Sequence, residues 1–257
     1  MGGLAGLGLL SLLSGDFALN WQPVPASVPW RQPLAYASGV ILVVSGLGTI
    51  VTRWATLSAL SLTINVLVWL LLLQLPRVIA NPTNEAMWLG FSENLVLVVG
   101  GWIVVASLGA HERDGHWYVI AGEKSVRIAR LLFAAALPVI GLSHFVYVDV
   151  TTSMVPAWLP ARTTFAYITG GAHMAAGIAL LLAIVPRLAA TLEALMISAF
   201  TLLVWVPRVA AAAGSRAPWT ALLASSALTG AAWAVAHSFS KADAGIPSRL
   251  DHYGLMR

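Results

Sequence analysis

Seven stretches of this chain run for roughly 20 residues with few or no charges: Pro33–Val51, Trp54–Leu75, Phe91–Ala110, Ser125–Tyr147, Thr163–Val185, Leu188–Val206 and Trp219–Ser238. About 20 apolar residues is the length at which a helix crosses the hydrocarbon core of a bilayer. In lipid, each backbone N–H and C=O needs a partner inside the segment, so stretches of this kind fold as helices packed on one another. An eighth, Gly2 to about Leu19, is short and carries Asp16 near its end. We expect it to be a truncated or tilted first helix. The fold class is thus all-α: a polytopic membrane protein of about eight spans.

Composition agrees. Only 9% of the 257 residues are charged and the mean hydropathy is +0.84. A water-soluble chain carries about 25% charged residues to cover its surface. The 14 Lys and Arg are scattered, and no basic run suits a nucleic acid. With no cysteine, disulfides, thiolate metal sites and iron–sulfur clusters are excluded. The apolar N-terminus lacks a basic flank, so we expect a helix there and not a cleaved leader.

The chain repeats itself. Val24–Gly39 (VPASVPWRQPLAYASG) matches Val155–Gly170 (VPAWLPARTTFAYITG) in 8 of 16 places at an offset of 131 residues. The offset recurs in Pro76-Arg77-Val78 with Pro207-Arg208-Val209, Trp88 with Trp219, Trp102 with Trp233 and Ser107 with Ser238. Chance in an apolar chain yields Leu and Ala matches, not Pro, Arg and Trp in constant register. Each copy holds four spans, an even number, so both insert the same way up as parallel four-helix bundles. The expected division is residues 1–110, a linker at 111–124, residues 125–240 and a tail at 241–257. In that frame the linker-side loops and tail carry nine Lys and Arg and the opposite loops five, which predicts a cytoplasmic C-terminus in a cytoplasmic (inner) membrane.

The two prolines of V-P-A-x-x-P-x-R forbid a regular helix start. Arg31 and Arg162 therefore lie at the helix ends beside Trp30 and Trp158. Arg77 and Arg208 are expected to end the third helix of each copy on the same face. Two readings stand: interfacial anchoring by Trp and Arg, or an anion site built from Arg31, Arg77, Arg162 and Arg208.

The second copy reads G-L-S-H-F, M-V-P-A-W-L-P, A-Y-I-T-G-G-A-H-M-A-A-G-I-A-L-L and P-R-L-A-A. It resembles the DoxX-like family of small four-helix membrane proteins, over about Arg130–Phe239 and less closely over Leu19–Leu108. The resemblance implies a four-helix bundle and proximity to quinone, since the family's named member is a subunit of a thiosulfate:quinone oxidoreductase. It does not imply a reaction. Where relatives commonly carry an acidic residue after T-G, this chain has His173 in the second copy and Leu42 in the first. Without gaps, His144 falls opposite Leu13. Any asymmetric polar site is therefore expected in the second half.

Ionisable groups at membrane depth are candidates for function. They are His144, His173, Glu193 and His237, with Glu93, Asn94 and Asn65 in the first half. His144, Asp149, Tyr167 and His173 all fall in the outer part of the second copy and form a candidate pocket for a quinone or another lipophilic ligand. The alternative is hydrogen-bonded glue between helices. Counting residues from the helix ends sets His144 and His173 about 10 Å apart in depth, which disfavours haem. No spacing on a span suits a metal. Three functions follow: an accessory or quinone-facing subunit of a membrane redox or envelope complex, a stand-alone binder or enzyme for a lipophilic or oxyanion substrate, or an assembly factor. The expected partners are the lipid bilayer and other membrane subunits.

Overall fold

The computed structural model describes residues 1–109 and 122–243, the side chains of 241–243 excepted. Most of the linker (111–121) and the tail beyond 243 lie outside the described residues. Among the described residues the chain is helical throughout: α1 (Gly2–Ser14), α2 (Arg31–Gly48), α3 (Ala55–Trp69), α4 (Leu75–Ala80), α5 (Glu85–Gly109), α6 (Glu123–Val146), α7 (Val148–Met154), α8 (Arg162–Leu181), α9 (Pro186–Phe200), α10 (Val206–Ala211) and α11 (Arg216–Asp243). Six continuous helical stretches are long and apolar enough to cross a membrane: Thr52–Ala80, Glu85–Gly109, Glu123–Val146, Arg162–Leu181, Pro186–Ala211 and Arg216–Ser240. α1 is apolar but has only 13 residues, and Gly15 stops it in a left-handed conformation at φ 64°.

The packing is that of a multi-pass membrane protein. Ile50, Val44, Leu72 and Leu202 point outward, each more than half exposed, while alanines and polar groups fill the interior. In water such a surface would aggregate, but in lipid it is the solvated side.

The 131-residue spacing reappears in the helix boundaries. α2, α3 and α5 begin at Arg31, Ala55 and Glu85; α8, α9 and α11 begin at Arg162, Pro186 and Arg216. Five-residue π turns lie at Leu70–Gln74 and Thr201–Trp205, and α4 and α10 share both ends under the same offset. These π turns correct one expectation. Arg77 and Arg208 do not follow a helix stop. Pro76 and Pro207 lack an N–H and their rings crowd the preceding turn, and the widened π turn ahead of each makes room. The helix runs on to Ala80 and Ala211, with each arginine in the last turn, where the helix dipole favours a cation. The residue before Arg31 and Arg162 is left-handed in both places, Trp30 at φ 57° and Ala161 at φ 50°.

Neighbouring helices close a ring: α1–α2–α3–α5–α6–α8–α9–α11 and back to α1, with α5 and α11 also touching across the middle. Each core is therefore more than a four-helix bundle. The first buries Leu4, Leu42, Leu62 and Val98 together with Ala224 and Ala227 of α11. The second buries Phe133, Leu137, Ala190 and Ala232 together with Val96 and Val99 of α5. Each half borrows the last helix of the other.

At the loop surface this exchange is paired. Asp16, after α1, takes hydrogen bonds from Arg216 at the head of α11. At the equivalent seam, Tyr147 interacts with Glu85 at the head of α5 without closing to regular hydrogen-bond geometry. Asp16 and Tyr147, and Glu85 and Arg216, are each 131 residues apart.

Candidate functional site

The polar interior of the second half is set by a glycine crossing. A Cβ on Gly141 would meet the Gly170 carbonyl at 2.5 Å, and one on Gly170 would meet the Gly141 carbonyl at 2.9 Å. α6 and α8 thus touch backbone to backbone. Three residues beyond each glycine stand His144 and His173, whose ring centroids are 5.2 Å apart in an edge-on arrangement. Nδ1 of His173 lies 2.6 Å from Oε1 of Glu193 on α9, with the side chains 3% and 0% exposed. The second oxygen of Glu193 has no partner. Phe200, at the end of α9, faces both imidazoles at 6.1 and 5.9 Å.

Thr169 fixes one tautomer. Its single hydroxyl proton goes to the Phe165 carbonyl at 2.9 Å or the Ala166 carbonyl at 3.1 Å. The 3.0 Å contact with His144 Nδ1 is then an N–H donated by the imidazole, which leaves Nε2 as an acceptor when the ring is neutral. The arrangement is a row, Glu193–His173–His144–Thr169, crossing three helices. A row of this kind can hold a proton in several places, and it presents ring nitrogens and a carboxylate oxygen to a hydrogen-bonding ligand.

Counting residues misjudged the depth of His144. The helix before it ends at Val146, but α7 continues to Met154, ten residues beyond His144. His173 lies eleven residues into α8. The rings meet because the two residues are equally far from the Met154–Arg162 connection. The other two pocket candidates do not join them. Asp149 is exposed on α7, and Tyr167 is 45% exposed and pairs with Phe145 at 5.6 Å. Glu193, Thr169 and Phe200 complete the row instead. An acid one to two turns into an apolar helix was the available signal for Glu193, since it must find a partner somewhere.

The four arginines are engaged separately. Arg31 is paired with Asp16 and lies over Phe17. Arg77 donates to Gln74 at 3.2 Å, Arg208 donates to the Ser153 carbonyl at 3.0 Å, and Arg162 is exposed at the start of α8. Burial alone would raise the Asp16 carboxyl. Hydrogen bonds from the Phe17 N–H, Arg31 and Arg216 outweigh this and hold it below the usual carboxylate range. Of the remaining candidates, Asn94 is fully buried and donates to the Gly90 carbonyl at 2.9 Å, while its own oxygen and that of Asn65 are unpartnered. Glu93 feels the charge of Glu85. His237 is exposed near the linker end of α11.

The glycine crossing also corrects the alignment of the halves. Gly8 and Gly39 make the equivalent backbone contact in the first half. Gly39 is 131 residues from Gly170, but Gly8 is 133 from Gly141, so α1 is shifted by two. The counterpart of His144 is then buried Ser11 and not Leu13, which is 77% exposed. Leu42 and Leu62, both 0% exposed, occupy the places of His173 and Glu193.

A domain of unknown function, DUF8561, matches residues 133–229. The match lies within the second half and takes in the whole row from His144 to Phe200. Neither a curated protein nor a solved structure matches the chain.

Proposed function

We propose that this protein is a tandem duplication of a four-helix, DoxX-like unit with eight spans and a cytoplasmic C-terminus, and that it serves a membrane redox or envelope complex as its quinone-facing subunit. In this reading the first half is scaffold. The second half holds the binding centre, where His173 and Glu193 exchange hydrogen bonds with a lipophilic ligand and His144 supplies a further ring nitrogen. The observation that carries the reading is the pair itself. A carboxylate and an imidazole 2.6 Å apart, in a place where the other half has two leucines, cost desolvation that packing alone does not require. The unpartnered oxygen of Glu193 offers a place for a donor.

The test is retention of ligand. Protein purified in mild detergent, and protein equilibrated with added ubiquinone or menaquinone, are assayed for bound quinone. The same is done for a His173→Leu/Glu193→Leu double variant, which copies the first half. The reading requires quinone in the wild type and its loss in the variant, with partner subunits retained by both. Equal amounts in the two proteins, or none in the wild type, would sink it. The backbone contact of Gly141 and Gly170 beside the row favours a second reading, in which the row is interhelical glue in a structural subunit. That reading requires partners to co-purify without quinone.

A further inference from the structure

The row does not end alike in both directions. Towards the face carrying α7, polar groups continue beyond His144. Tyr147 is one helical turn further along, on the same side of the chain as His144, and it interacts with Glu85 of α5, which in turn faces Glu93. Towards the linker face, the buried neighbours on the same three helices are Phe133, Leu137, Leu180 and Ala190. Arg130, two turns beyond Leu137, is bonded to Ser238 of α11. From α11, the hydroxyls of Ser225 and Thr229 reach only Thr201.

We infer that Glu193 exchanges protons with the α7 face of the membrane through His173, His144 and Tyr147, and is insulated from the linker face by the apolar layer. This deepens the reading of the row as a protonation centre and rests on it. Each step moves one proton and no electrons. An imidazole that gains a proton at one nitrogen and loses one from the other passes charge on without moving its chain. At 5.2 Å between centroids, a small ring rotation or one water links the two histidines. A ligand taking up or releasing protons at Glu193 would draw them from that one side.

Sealed vesicles sorted to a single orientation on a tag after Arg257 allow the test. With ¹⁵N-labelled histidine, the His173 ring signals are followed by solid-state NMR while the pH on one face is changed. The signals should move with pH on the α7 face and stay still when the linker face is titrated. His144→Leu should abolish the movement while the His173–Glu193 bond persists, and Thr169→Val, which only frees His144, should slow it several-fold. Movement with linker-face pH, with both faces alike or with neither would overturn the inference. So would an unchanged response in either variant. The quinone reading fails by a different measurement, the absence of bound ligand in the wild type.

Discussion

The two halves of this protein have one backbone plan and two interiors. Where the second half has His144, His173 and Glu193, the first has Ser11, Leu42 and Leu62. Thr169 corresponds to Ser38, which accepts a hydrogen bond from Gln22 at 2.8 Å, and Phe200 corresponds to buried Trp69. The first half places its polar groups nearer the loops. Gln22, held by the Ala18 N–H and Ser38, and Gln74, bonded to the Asn20 and Trp21 carbonyls, seal that end. The contrast teaches that the bundle stands without a charged interior, so the charges in the second half call for a reason other than folding.

The largest expected effect breaks this contrast from the second half. His173→Leu alone leaves Glu193 buried without a partner and should cost about 3–5 kcal/mol. Adding Glu193→Leu should recover most of that loss, because two leucines already pack at these places in the first half. Thermal unfolding in detergent of the two variants decides the matter. A double variant as unstable as the single one would mean that the pair is structural. The converse belongs to the same comparison: Leu62→Glu alone should be severe, and Leu42→His/Leu62→Glu much milder.

Next come the glycine crossings, which the halves share. Gly141→Ala drives a methyl to 2.5 Å from the Gly170 carbonyl and Gly8→Ala to 2.7 Å from the Gly39 carbonyl. Each should cost about 1–3 kcal/mol by overpacking. Gly141→Ala should also part the two imidazoles, which the His173 ring signals would report. If ligand retention survived Gly141→Ala unaltered, the crossing would not position the row.

The seams differ in charge and should differ in pH response. Asp16, held between Arg31 and Arg216, has its carboxyl below the ordinary value of 3.8. Its contribution is present above that value and is lost as the pH falls through the folded one. Arg216→Ala should cost about 1 kcal/mol near neutrality, the side chains being a quarter to a third exposed. Asp16→Asn should remove this part of the acid dependence below about pH 4. Melting temperature against pH for the three proteins gives the answer, and parallel curves would deny the seam any role.

The smallest effect is a control. A Cβ on Gly171 meets nothing within 4 Å, unlike its neighbour Gly170. Gly171→Ala should stabilise α8 by up to about 1 kcal/mol through helix propensity and leave the row untouched. A loss of stability there would reveal a contact on that face.

Much of the architecture was legible in the residues. Apolar length gave the helices, and Pro76, Pro207, Arg31, Arg162, Trp88 and Trp219 marked the repeat because such residues rarely coincide. Trp88 and Trp219 even donate to the Pro82 and Ala213 carbonyls at the same 2.8 Å. α1 was misaligned by two residues because a run of Leu and Gly has no landmark to set its register. The π turns were hidden because proline ordinarily announces a stop, and only the widened turn before it lets the helix continue.

What the sequence determined by itself was a duplicated set of membrane helices with ionisable groups confined to the second copy, because lipid admits few charges and repeated landmarks survive in the order of residues. Only the tertiary structure decided which groups meet. Glu193 reaches His173 across 20 positions, and His144 reaches His173 across a crossing narrowed by two glycines. The spacing of residues along one helix says nothing about the rotation and depth of the next.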